Sequence, residues 1–200
     1  MIKAVLFDLG GVLVTDIVRV LEEFVSKTAG IPIDKVQLVR RDHWSNYELS
    51  KMSGIEFMQK EIDNAGMKMS PQELLERSYD MIEYYADSVD MVKRLKATGR
   101  YKLGVISNNT LEWARFEKDD MGLGQYFDVW ISSADVNECK PMHSIYLLAA
   151  ERLGIDPSDC VFIDDKQKCI AGAVEVGMVG IQFEDAKQLE AELKQLGLDF

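Results

Sequence analysis

The chain has 200 residues and a formal net charge of -11, a balance that argues against nucleic acid as a partner, since phosphate backbones are held by clustered Lys and Arg. Its 47% hydrophobic and 28% charged residues suit one sizeable core with room for an inserted subdomain. No stretch approaches the roughly 18 apolar residues of a membrane span, and the first apolar run is too short for a signal-peptide core. A soluble cytoplasmic protein, with no membrane partner, is therefore expected.

From the N-terminus, residues 2–7 form a continuous apolar run that stops at Asp8-Leu-Gly10-Gly11. Residues 16–86 then carry helical patterns at 17–29, 54–65 and 71–85, with turns at Gly30-Ile-Pro and at Gly66 through Pro71, where Ser70 is placed as an N-cap. Beyond them, apolar runs at 101–106, 127–131, 160–163 and 178–183 alternate with helical periodicity at 89–96, 111–120, 145–153, 169–176 and 186–196. Unbroken apolar runs mark parallel strands covered on both faces. The expected architecture is α/β: a Rossmann-like, three-layer core with a parallel five-stranded sheet, formed by residues 1–15 and 87–200, and a helical cap inserted as residues 16–86.

Ligands in such a sheet lie beyond the carboxyl ends of the strands. Those ends carry Asp8, then Ser107-Asn108, then Lys140 on the loop after the third strand, then Asp164-Asp165. Singly, each reads as a turn or cap residue, and Ser107-Asn108 reads as the cap of the helix beginning near Leu111. Jointly they form a site with hard oxygen ligands for Mg2+ and an ammonium to balance them. Three carboxylates meeting without a cation repel strongly. The chemistry that fits is phosphoryl transfer to Asp8 followed by hydrolysis of the aspartyl phosphate. Cys139, Cys160 and Cys169 form no Cys-x-x-Cys pair, and only His43 and His143 are available beside them, so no structural zinc is expected. Cys139 sits beside Lys140, but the reduced, incidental thiol is the better reading.

Residues 5–13, 103–109, 140–146 and 161–165, with 126–129 and 153–159, resemble the haloacid dehalogenase superfamily, in its branch with a helical cap after the first strand. The resemblance implies a phosphatase acting on a small phosphate ester, sugar phosphates among the candidates. It makes Asp8 the nucleophile, Lys140 the charge-balancing lysine, and Ser107, with Asn108 and Gly11 beside it, the phosphate-binding group. Asp8, Asp164, Asp165 and the backbone carbonyl of Gly10 would take the Mg2+.

Three departures stand out. Most phosphatases of that family carry a second Asp, the acid–base group, where this chain has Gly10, and losing such a group costs a factor of about 10² to 10⁴ in rate. Asp16 is a nearby side chain able to lessen the loss. Lys140-Pro-Met-His stands for the commoner Lys-Pro-Asp-Pro, and Cys169 stands where a loop-bracing Asn is usual.

Two alternatives remain: a haloacid dehalogenase, which uses the same Asp on carbon without metal but has neutral residues in place of Asp164-Asp165, and a low-turnover fold that binds a ligand or partner. Arg40, Arg41, His43, Trp44, Tyr47 and Glu48 cluster as a cap surface facing the crevice, or else as a helix end with two aromatics in the cap core. Met52, Met58, Met67, Met69 and Met81 are expected to fill packing gaps in the cap. Substrate and oligomeric state, monomer or homodimer, stay open.

Overall fold

The computed structural model describes residues 1–41 and 43–200. Five strands, β1 (Ala4–Phe7), β2 (Lys102–Ser107), β3 (Val129–Ser132), β4 (Cys160–Asp164) and β5 (Val179–Gln182), form one sheet in the order β3-β2-β1-β4-β5. Every neighbouring pair is parallel. The α/β architecture and five parallel strands are those expected, with strand ends within a residue or two of the apolar runs.

Strand side chains alternate between two apolar clusters, which sets the layers. Ala4, Leu6, Ile106 and Phe162 pack with α9 (His143–Leu153) and α10 (Gln167–Glu175) through Ile145, Tyr146, Ala149 and Ile170. Val5, Phe7, Val161 and Ile163 face the other way, against α6 (Ala86–Ala97) and α11 (Ala186–Gln195) through Val92, Leu95, Leu189 and Leu193. Burying both faces is why each strand reads as apolar throughout.

Between β1 and α6 lie α1 (Ile17–Ala29), α2 (Ile33–Arg41), α3 (Trp44–Glu48), α4 (Gly54–Ala65) and α5 (Pro71–Tyr79). Local chemistry sets their ends. Asp16 caps α1, a Ser53–Glu56 capping box starts α4, and Ser70 accepts from Glu73 N to start α5. Leu21, Val25, Phe57, Met58 and Leu74 join the α6 side of the core, with Met52, Met67, Met69 and Met81 packed around them.

Some expectations are corrected. The helix expected over 71–85 ends at Tyr79, because the following backbone pairs with the segment leaving β1: Thr15 N donates to Glu83 O and Tyr85 N to Leu13 O, both at 2.9 Å. Helices α2 and α3 were not among the helical patterns expected; α2 buries Val36 and, one turn on, the cation Arg40. The helix expected over 111–120 is α7 (Leu111–Arg115) followed by a π-helical turn, Phe116–Asp120, closed by Met121 N on Phe116 O at 2.8 Å. Its cap is Thr110, whose hydroxyl accepts from Trp113 N, and not Ser107 or Asn108. Among the described residues, no helix is long and apolar enough to cross a membrane.

Candidate active site

Asp8 follows β1 directly, and its N–H continues the ladder to Ile163 O at 2.8 Å, so the strand itself fixes its position. Its Oδ1 accepts from Leu9 N at 2.8 Å and lies 2.8 Å from Lys140 Nζ. Lys140 Nζ also reaches Asp164 Oδ2 at 2.6 Å, and the lysine is only 3% exposed. Asp164 Oδ1 accepts from Lys166 N at 2.8 Å. Ligand oxygens of Asp8, Asp164 and Asp165 lie within 4.8 Å of one another.

Burial and the charge of Asp8 push the Asp164 carboxyl up to about 6, against the pull of Lys140. Asp165 is raised too, first by burial. Burial alone would lower the Lys140 ammonium, but Asp8 and Asp164 outweigh it and hold it above its usual range. The four groups, all buried but for the partly buried Asp165, thus form an electrostatic unit in which the negative charge exceeds the positive.

Ser107, at the end of β2, is buried and lines a cavity of about 650 Å³ together with Asp8, Gly10 and Lys140. Asn108 lines it as well, but its side chain clamps the lysine loop: Nδ2 donates to Lys140 O at 3.0 Å, and Oδ1 accepts from Lys140 N at 2.7 Å. That amide explains how a lysine on a loop is aimed between two carboxylates. Gly11 N donates to Val14 O at 2.8 Å, so its N–H serves the loop. Gly11 has φ +86°, and a Cβ there would stand 3.0 Å from Asp165 Oδ2; only glycine combines that conformation with so close an approach.

Helices α1, α2 and α3 supply Arg19, Glu22, Gln37, Trp44 and Glu48 to the same cavity. Of the cluster expected to face the crevice, Trp44 and Glu48 do so. Arg40 turns inward: it is buried, pairs with Glu61 Oε2 at 2.7 Å and donates to Val18 O at 2.7 Å. Tyr47 is buried and stacks on Phe57 at 4.3 Å between ring centroids. A cation whose desolvation is offset by a carboxylate of α4 is not available to grip an anion. Asp16 lines the cavity, but it caps α1 and lies 3.6 Å from Lys166 Nζ. The Cys139 thiol is pushed up by burial, which disfavours the thiolate. The Cys169 carbonyl accepts from Tyr146 Oη at 2.7 Å, bracing the start of α10.

Among the polar residues of the cavity that were not singled out from sequence is Glu117. Glu117, in the π-helical turn, is 1% exposed and accepts at Oε2 from Asn109 Nδ2 at 2.6 Å. Its signal in the sequence was a Glu one turn after the apolar Trp113, on the face that packs inward.

A family model for haloacid dehalogenase-like hydrolases matches residues 2–177. The chain belongs to that family. Flavin mononucleotide hydrolase 1 of Arabidopsis thaliana is 30% identical over 115 residues, which cover 58% of this chain and 46% of that protein. A Mycobacterium tuberculosis protein named as a phosphatase is 29% identical over 188 residues, covering 88% of this chain and 85% of its own. Among solved structures, a HAD phosphatase from Thermococcus onnurineus is 27% identical with TM-score 0.62, over 92% of this chain and 86% of its own. A HAD-family enzyme of Bacteroides thetaiotaomicron, in complex with magnesium and inorganic phosphate, has TM-score 0.70 at 22% identity, over 94% of this chain and 99% of its own. The L-2-haloacid dehalogenase of Xanthobacter autotrophicus has TM-score 0.67 at 20% identity, over 98% and 83%. Like the Bacteroides enzyme, it shares the fold.

Proposed function

We propose that this hydrolase is a magnesium-dependent phosphatase that transfers the phosphoryl group of a small phosphate ester to Asp8 and then releases it to water. The observation that carries this reading is the Asp8–Lys140–Asp164–Asp165 cluster, whose Asp8 and Lys140 line a cavity of about 650 Å³.

The residues fit Mg2+. All the side-chain donors are hard carboxylate oxygens, and their mutual repulsion is left only partly balanced by Lys140. Asp165 Oδ1 is buried without a hydrogen-bond partner among the described residues, an arrangement that costs free energy unless a cation completes it. Asp8, Asp164, Asp165 and the Gly10 carbonyl would hold the ion, which when bound offsets the charge of the carboxylates and of the phosphate. Asp8 Oδ1 is taken by Leu9 N and Lys140, leaving Oδ2 for attack on phosphorus. Lys140, 2.8 Å from Oδ1, keeps Asp8 oriented. Ser107 Oγ donates to a phosphate oxygen. Residues 16–86 act as a cap over a core of residues 1–15 and 87–200, and the cap side chains Arg19, Gln37 and Trp44 meet the part of the substrate beyond the phosphate.

The paired carboxylates after β4 weigh against the dehalogenase alternative, since attack on carbon to release halide gains nothing from them. The test is hydrolysis of an aryl phosphate and of a panel of sugar phosphates, phosphoglycolate, nucleotides and pyridoxal phosphate, with and without Mg2+. Activity that needs Mg2+ and is abolished in Asp8→Asn is expected. Halide release from 2-haloacids without metal, or no turnover across the panel, would overturn the reading.

A further inference from the structure

Phosphoryl transfer to Asp8 needs a proton for the departing oxygen, and hydrolysis of the aspartyl phosphate needs a group to take one from water. Gly10 has no side chain to offer. Asp16 is committed to the α1 cap and to Lys166, and Lys140 is held between Asp8 and Asp164.

Glu117 is differently placed. It lines the same cavity as Asp8 and Ser107, yet it comes from the π-helical turn after α7. Single π turns interrupt helices at functional sites more often than elsewhere. Its Oε2 is fixed by Asn109 Nδ2, whose amide is oriented in turn because Oδ1 accepts from Thr110 N at 2.8 Å. One carboxyl oxygen is therefore anchored as an acceptor, and the other is left to carry a proton.

We propose that Glu117 is the proton-transfer group of this site, supplying from the α7 side what Gly10 cannot supply from the β1 loop. The proposal rests on the phosphatase reading. As the bond from phosphorus to the leaving oxygen breaks and that from Asp8 Oδ2 forms, the Glu117 proton passes to the leaving oxygen, which departs as an alcohol. Glu117, now a carboxylate, then takes a proton from the water that attacks the aspartyl phosphate, and the cycle closes with Glu117 protonated and phosphate released.

The surroundings keep the proton in place. Of the charged groups that line the cavity, Asp8 is the one whose charge acts on Glu117; burial first, and then the charge of Asp8, push its carboxyl up to about 8 against the single hydrogen bond from Asn109. It is thus an acid at neutral pH, close to the range in which a group both gives and takes a proton efficiently.

The competing account is that Glu117 only buttresses Asn109. The two differ in leaving-group dependence. Mg2+-loaded wild type and Glu117→Gln are compared on p-nitrophenyl phosphate, whose leaving group needs no proton, and on alkyl phosphates, whose leaving group does. The quantity read is kcat/KM, which reports the transfer step. The expected result is a loss of about 10²-fold or more on alkyl esters, and a loss at least tenfold smaller on the aryl ester. A Cβ at Gly10 would meet only ordinary contacts, 3.5 Å from Asp16 Cα, and Gly10→Asp should recover alkyl turnover in Glu117→Gln by tenfold or more. Equal losses on both esters would overturn the proposal, as would a wild type that hydrolyses only esters with good leaving groups; either leaves the phosphatase reading standing. Wild type inactive on every ester defeats that reading itself. If Glu117→Gln fails to fold, Glu117→Asp, which keeps the carboxyl and withdraws it by one methylene, is read by the same ratio.

Discussion

Replacing Lys140 by Met removes one charge at nearly constant volume, from a position 2.8 Å from Asp8 Oδ1 and 2.6 Å from Asp164 Oδ2. Asp164 is 0% exposed and Asp8 5% exposed, so neither carboxylate recovers much hydration in exchange. Removing one partner of a buried ion pair costs about 3 to 5 kcal/mol, because the remaining charge is left uncompensated. The loss depends on pH in a definite direction. Asp164 already has a folded pKa of about 6 against an ordinary 3.8, and without Lys140 it rises further. A carboxyl raised in the folded state favours folding while protonated, and that contribution disappears as pH climbs through the folded value. The deficit of Lys140→Met relative to wild type should therefore be smallest near pH 4 and reach several kcal/mol by pH 8. Urea denaturation at both pH values, with chelator present, measures it. A difference below about 1 kcal/mol at pH 8, or one equally large at pH 4, would refute the argument that Lys140 compensates these two buried carboxylates. Mg2+ should restore part of the loss at pH 8.

Three further outcomes are expected. Gly11→Ala places a methyl 3.0 Å from Asp165 Oδ2 at φ +86°; it should destabilise the fold by about 1 to 2 kcal/mol and weaken Mg2+ binding at least tenfold, read by thermal unfolding and calorimetric titration. Glu117, raised from 4.5 to about 8, favours folding while protonated and loses that contribution as pH rises between those values. The span of about 3.5 units corresponds to an upper bound of roughly 5 kcal/mol, so Glu117→Gln should flatten the fall in stability between pH 5 and 9 seen by chemical denaturation. Asn108→Ala removes the clamp on the Lys140 loop, and should lower kcat about tenfold or more while leaving the Mg2+ requirement in place, measured by steady-state kinetics.

Much of the site was legible in the sequence because parallel strands leave a strong mark. Each is buried on both faces, so each reads as an unbroken apolar run, and the residue at which the run stops is the residue at the site. Asp8, Ser107 and the Asp164–Asp165 pair were found that way. Lys140 was found as well, but the reason it points inward was not visible: the Asn108 amide that aims it lies 32 residues away in the chain. Asn108 reads in sequence as a helix cap or a phosphate ligand, and its bonds to the Lys140 backbone appear only in the folded chain.

The cap was harder to read. Arg40 looked like a surface cation because Arg usually is one; its burial depends on Glu61, which α4 brings alongside. The end of α5 at Tyr79 was likewise unreadable, since residues 83–85 are claimed by backbone bonds to residues 13–15 across a separation that no local pattern encodes. Glu117 is the plainest case. In sequence it is one charged residue in a helical stretch, and only its place one turn after Trp113 separates it from its exposed neighbours Lys118 and Asp119.

By itself, then, the sequence determined the order of the strands, the two-sided burial of the sheet and the residues at the strand ends, because these follow from unbroken apolar runs and a 3.6-residue helical period within short windows. Only the tertiary structure decided which charges are buried, which amides orient them and which carboxyl keeps its proton. Those properties are set by desolvation and by neighbours distant in the chain. The feature most open in the sequence, Gly10 in place of an acid, acquires a partner in Glu117 only when the sheet and the π-helical turn are folded around one cavity.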